Sequence, residues 1–184
     1  MNNKIILTLF ISFIMISSVI GFVWTSSSDT VTYETIEYQN YNFNKINDKY
    51  ILELNGNEYV FDNTPYELSD IDASNVIIES SKYYILFDPE DKDLNLEYSI
   101  QKLYLVLNSL GVNVQLACSK EEGCDSTLPI KTCDDYSFYF KKSINAKIYK
   151  ENRCVVIEGS NLDISKEVDK INLFLLKVIW NEKE

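Results

Sequence analysis

Apolar and polar residues alternate along the first part of the chain, with Tyr41 and Phe43, then Tyr50, Leu52 and Leu54, then Tyr59 and Phe61 at every second position. A period of two is the pattern of strands that bury one face. The interruptions are Asn47-Asp48-Lys49 and Asn55-Gly56-Asn57, and the second supplies residues that accept the positive φ of a tight hairpin turn. These signals predict a three-stranded antiparallel meander. Thr64-Pro65-Tyr66-Glu67 follows, with a capping side chain, proline at the first helical position and glutamate three residues after the cap, which predicts a short helical turn.

From residue 75 the period changes. Tyr83 to Phe87 reads as a buried strand, and Leu96, Ile100, Leu103, Leu107 and Leu110 then step by four and three along one helix face that Gly111 terminates. Val112 to Leu116 reads as the returning strand. Cys154 to Ile157 begins the same sequence again: Gly159 turns, Ser160 caps with Asp163 three residues on, and Ile164, Val168, Ile171, Leu175 and Val178 mark a second helix face. Strand signals also occur around Ile130, at Tyr136 to Phe140 and at Ala146 to Tyr149. Strand, helix, strand with short links predicts a small mixed sheet, partly parallel, with two amphipathic helices packed on it. The fold class expected is α/β, with α+β as the alternative. Both helices turn apolar on nearly every side in their second halves, so they need cover on every side, and burial between sheet and meander is the expectation.

Lys4 to Trp24 carries no charge after the lysine, and about 20 helical residues at 1.5 Å each match a hydrocarbon core roughly 30 Å thick. The expectation is a transmembrane anchor, or else a signal peptide, over residues 1–24, a polar linker over 25–30, and a single domain over 31–184. Lys4 precedes the span and Asp29, Glu34 and Glu37 follow it, an asymmetry that puts the amino terminus in the cytoplasm and residues 25–184 outside, or secretes them if the segment is cleaved.

An exported domain makes disulfides the expected fate of its cysteines. Cys118, Cys124, Cys133 and Cys154 are separated by five, eight and twenty residues, with no Cys-x-x-Cys pair and no histidine to complete a mixed zinc site. Of three connectivities, Cys118–Cys124 with Cys133–Cys154 is preferred, because Gly123 permits a tight return and Cys154 opens a strand that can lie beside Cys133; the other two stay open.

Composition mainly excludes. Twenty-eight acids against 17 bases give a net charge of −11, and the single arginine, Arg153, cannot form a guanidinium cluster, so nucleic acid is not expected as a partner. The absence of histidine removes Ser-His, Cys-His and histidine-metal chemistry, and five scattered glycines remove phosphate-cradling loops. No cofactor is expected and no catalytic residue stands out. The best remaining candidates are Asp88, Asp91 and Asp93 in DPEDKDLNLE. Asp91, Asp93 and Asn95 are spaced like the start of a calcium loop, but Leu96 stands where glycine is needed and Lys102 where a bidentate glutamate is needed. Helix capping is the expected role of these acids, with a divalent cation as the alternative. The reading is a membrane-tethered interaction or structural module with an envelope protein as partner. A carboxylate- or divalent-metal-dependent hydrolase is the alternative.

The run FDPEDKDLNLEYSIQKLYLVL, then VQLAC, a second cysteine, LPIKTC and NRCVVIEGSNLDISKEVDKINLFLL, resembles a family of uncharacterised archaeal membrane-anchored proteins with a four-cysteine α/β domain, over residues 83–180. The resemblance implies the disulfides and this topology, and carries over no functional residue.

Overall fold

The computed structural model describes residues 34–91 and 93–179. The anchor and linker expected over 1–30 lie outside the described residues. Among those described, no helix is long and apolar enough to cross a membrane.

Four strands, not three, form the meander: β1 (Glu34–Tyr38), β2 (Tyr41–Ile46), β3 (Lys49–Leu54) and β4 (Asn57–Phe61), paired in that order and all antiparallel. The additional strand, β1, is joined to β2 by a turn in which Gln39 has φ of 53°. Its Ile36 and Tyr38 are only partly covered, so the sequence alternates too weakly there to announce a strand. The other two turns use positive φ at Asn47 and Asp48 and at Asn55 and Gly56, the conformation that the right-handed twist of hairpin strands selects. After β4, Thr64 and Glu67 exchange the reciprocal hydrogen bonds of a capping box, and a series of turns rather than a regular helix follows.

The second sheet has five strands in the order β6-β5-β7-β9-β8: β5 (Lys82–Phe87), β6 (Asn113–Cys118), β7 (Ser137–Lys142), β8 (Lys147–Glu151) and β9 (Cys154–Gly159). β5 is parallel to both β6 and β7, β7 is parallel to β9, and only β8 runs antiparallel, at one edge. Around Ile130 there is a single bridge to Cys118 in place of a strand. Helix α1 (Leu94–Ser109) connects β5 to β6, and α2 (Asn161–Leu175) follows β9. Ser160 and Asp163 form the expected capping box on α2. Beyond that helix, Lys177 at φ 60° turns the chain so that Val178 packs below it.

Two cores explain the nearly all-round apolar helices. Phe138, Phe140, Val155 and Ile157 on one sheet face meet Leu103, Leu107, Ile164, Val168 and Ile171. On the opposite side of the helices, Phe43, Leu52 and Phe61 of the meander meet Val106, Leu173 and Leu176. The helices are thus a middle layer between two sheets. Because the meander is a separate antiparallel sheet, the class is α+β, the alternative rather than the α/β expected first. A smaller cluster on the outer face of the five-stranded sheet contains Leu86, Ala117, Cys154 and Val156, flanked by Tyr84, Tyr139 and Tyr149.

Candidate functional site

The four cysteines pair as Cys118–Cys124 and Cys133–Cys154, and no free thiol remains. Cys118 ends β6 and Cys154 begins β9, both fully buried, so the two bridges pin the long excursion between β6 and β7 at its start and its finish. Gly123 takes φ of +76° inside the short loop, the tight return its sequence suggests.

The three acidic candidates are held in separate roles. Asp93 is the N-cap of α1 and accepts from the Asn95 N–H at 2.8 Å. That N–H, against some burial, and with help from Leu96 N–H and the Asn161 side chain, keeps its carboxyl below the usual range. Asp88 is partly buried, which opposes ionisation, but the Glu90 N–H at 2.9 Å and the Lys120 ammonium at 2.9 Å hold it lowered. Asp91 lies 3.8 Å from Lys142. Among the described residues no three acids or thiols converge on a point that could hold a metal ion.

Asp88 and Asp91 nevertheless share a cavity of about 560 Å³. Its position follows from the topology: two parallel strands, β5 and β6, end side by side, α1 departs from one of them, and the disulfide loop folds back over the other. Phe87, Leu96, Ile100, Leu116 and Leu128 give it an apolar lining, and Glu97 and Asp125 join Asp88 and Asp91 in it. The Cys118–Cys124 bridge fixes one wall, since Cys118, Gly123 and Asp125 all line it. The carboxyl ends of parallel strands are where ligands of open sheets bind. A second hollow of about 900 Å³ lies between α2, residues 67–75 and β8, lined by acids and by Lys147, Lys150 and Lys166 alike.

Sequence reasoning missed a buried polar cluster. Lys102 of α1, its side chain 5% exposed, donates to Asp169 of α2 at 2.5 Å and to Asp62 at 2.7 Å. Asp169, fully buried, also accepts from the backbone N–H groups of Asp62 and Asn63 and from the Asn63 amide at 2.8, 3.0 and 2.9 Å. Burial pushes the Asp169 carboxyl up, and the Lys102 ammonium and these N–H donors work against that. Asp62 pairs with Lys49 as well and accepts from Ser165 Oγ at 2.7 Å. Burial opposes its ionisation, yet Lys102, Lys49 and Ser165 bring it down to about 2. Ser165 Oγ lies 3.4 Å from Lys102 Nζ, whose donors already serve the two carboxylates. The cluster ties the end of β4 to both helices. Its signal in the sequence is Lys102 on the apolar stripe of α1, between Ser99 and Val106.

Comparison of the chain with family models, with curated proteins and with solved structures returns no match.

Proposed function

We propose that the protein is a membrane-tethered, extracytoplasmic interaction or structural module, anchored through residues 1–24 or released if that segment is cleaved. The observation that carries the reading is that all four cysteines are joined in two disulfides, a state that persists in oxidising compartments and rarely in the cytosol. The charge asymmetry around Lys4 to Trp24 and the resemblance to membrane-anchored four-cysteine proteins agree with it. The acidic side chains serve capping and ion pairs, which suits a hydrated binding surface better than a hydrolytic centre. An envelope protein is the partner class.

Labelling intact cells with a membrane-impermeant amine reagent tests the topology. Modification of exposed lysines such as Lys141 before lysis is the expected result. Protection until the cells are opened would refute it.

A further inference from the structure

We propose that the cavity at the carboxyl ends of β5 and β6 is a binding site for a small organic cation, an apolar body carrying an ammonium group. The proposal goes beyond the tethered-module reading and shares with it only the Cys118–Cys124 bridge that fixes one wall, which purified oxidised chain retains whatever its topology. The volume of about 560 Å³ falls in the range of ligand pockets, roughly 300–1,000 Å³. The apolar part of the lining comes from Phe87, Ile100, Leu116 and Leu128. The charge of the lining is net negative: Asp88, Asp91, Glu97 and Asp125 line it, and Lys120 and Lys142, from outside the lining, pair with only the first two.

Each alternative occupant meets an obstacle. An anion would face a lining of net negative charge, and the N-terminus of α1, which could otherwise attract one, already has Asp93 as its cap and Glu97 in its first turn. A bare metal ion would need several carboxylates on one point, and among the described residues no such group exists. A neutral apolar molecule would gain nothing from the acidic lining. An ammonium on an apolar stem fits the spread of charge, because it needs one or two carboxylates within reach rather than a complete coordination shell. Asp91 is the best placed to receive it: its ion pair with Lys142, at 3.8 Å, is the longest among the described residues, so exchanging one ammonium for another disturbs little. Glu97, exposed on the first turn of α1, is the second.

The test uses the full chain in lipid nanodiscs, with empty nanodiscs as the blank. Three probes of matched size are titrated by calorimetry and saturation-transfer NMR: phenethylamine, 2-phenylethanol and 3-phenylpropionate. At low salt the amine should bind about tenfold more tightly than the alcohol, a ratio that two partly exposed charge contacts can supply, and the carboxylate should bind least. Asp91→Asn with Glu97→Gln should abolish the preference for the amine and leave the alcohol unchanged, whereas Glu53→Gln on the meander should alter neither. Leu128→Trp, which adds bulk to the lining from the disulfide loop, should remove binding of every probe. Equal binding of amine and alcohol, a preference that survives the double variant, or no probe bound to chain with native near-ultraviolet circular dichroism would each overturn the assignment.

Discussion

Replacing Lys102 by methionine keeps the length and apolar stem of the side chain and deletes only its charge. In the folded protein that charge faces Asp169, which is fully buried, and Asp62, whose side chain is one-fifth exposed. Without it, a buried carboxylate is left with N–H donors alone. Removing one partner of a buried pair costs about 3–5 kcal/mol, and the low end applies here because three N–H groups continue to serve Asp169. In urea that loss lowers the midpoint by about 1.5 to 2 M for a domain of this size. The double variant Lys102→Met with Asp169→Asn should recover part of it, about 1–2 kcal/mol, since the asparagine carbonyl still accepts the Asp62 and Asn63 N–H groups with no charge left to compensate. The assay is urea unfolding followed by tyrosine near-ultraviolet circular dichroism. Acid adds a second check. The Asp62 carboxyl is lowered from 3.8 to about 2, so its contribution is complete above pH about 4 and disappears as pH falls through 2. That loss should be smaller in Lys102→Met. A Lys102→Met protein within 1 kcal/mol of wild type, or a double variant no more stable than the sum of the single changes, would refute the account of the cluster.

Other outcomes follow from single features. Glu167, 2% exposed, is pushed up to about 8, first by burial and then by Asp163 and Glu158. An acid raised in the folded state costs stability as pH climbs from its unfolded value of 4.5 through 8. Glu167→Gln should therefore match wild type near pH 4 and exceed it increasingly up to pH 8, and a constant difference across pH would contradict this. A Cβ on Gly159 would come within 2.8 Å of Asp163 Cβ, inside the capping box, so Gly159→Ala should destabilise by about 1–3 kcal/mol in thermal unfolding. The Cys133–Cys154 bridge closes a separation of 21 residues, and Cys133→Ser with Cys154→Ser should cost about 3 kcal/mol on the loop-entropy estimate. Cys118→Ser with Cys124→Ser, across a separation of only 6, should cost less and loosen the cavity wall, read as weaker binding of phenethylamine.

Much of the fold is legible because its signals are local. Gly111 and the steps of four and three from Leu96 mark α1, and Ser160 with Asp163 marks the start of α2. The turn residues Asn47, Asp48, Asn55 and Gly56 separate three of the four meander strands. β1 escapes notice because Glu34, Thr35 and Glu37 stand exposed around a half-covered Ile36, and its pairing with β2 depends on the Gln39 turn rather than on an apolar face. The cavity is legible only in part. Asp88 and Asp91 are conspicuous in DPEDKD, whereas Leu116, Gly123 and Leu128 reach it only because the Cys118–Cys124 bridge folds the loop over β6. The Lys102 cluster was hidden for the same kind of reason: Asp62 and Asp169 are 107 residues apart, and no local pattern joins them.

Export of the domain and the wall of the cavity both depend on the oxidation state and pairing of the cysteines. Peptide mass mapping without reduction, on full-length chain whose thiols are blocked at the moment of lysis, measures both. The expected result is Cys118 joined to Cys124 and Cys133 joined to Cys154, with no blocked cysteine in the folded protein. Four blocked thiols, or either of the crossed pairings, would contradict it.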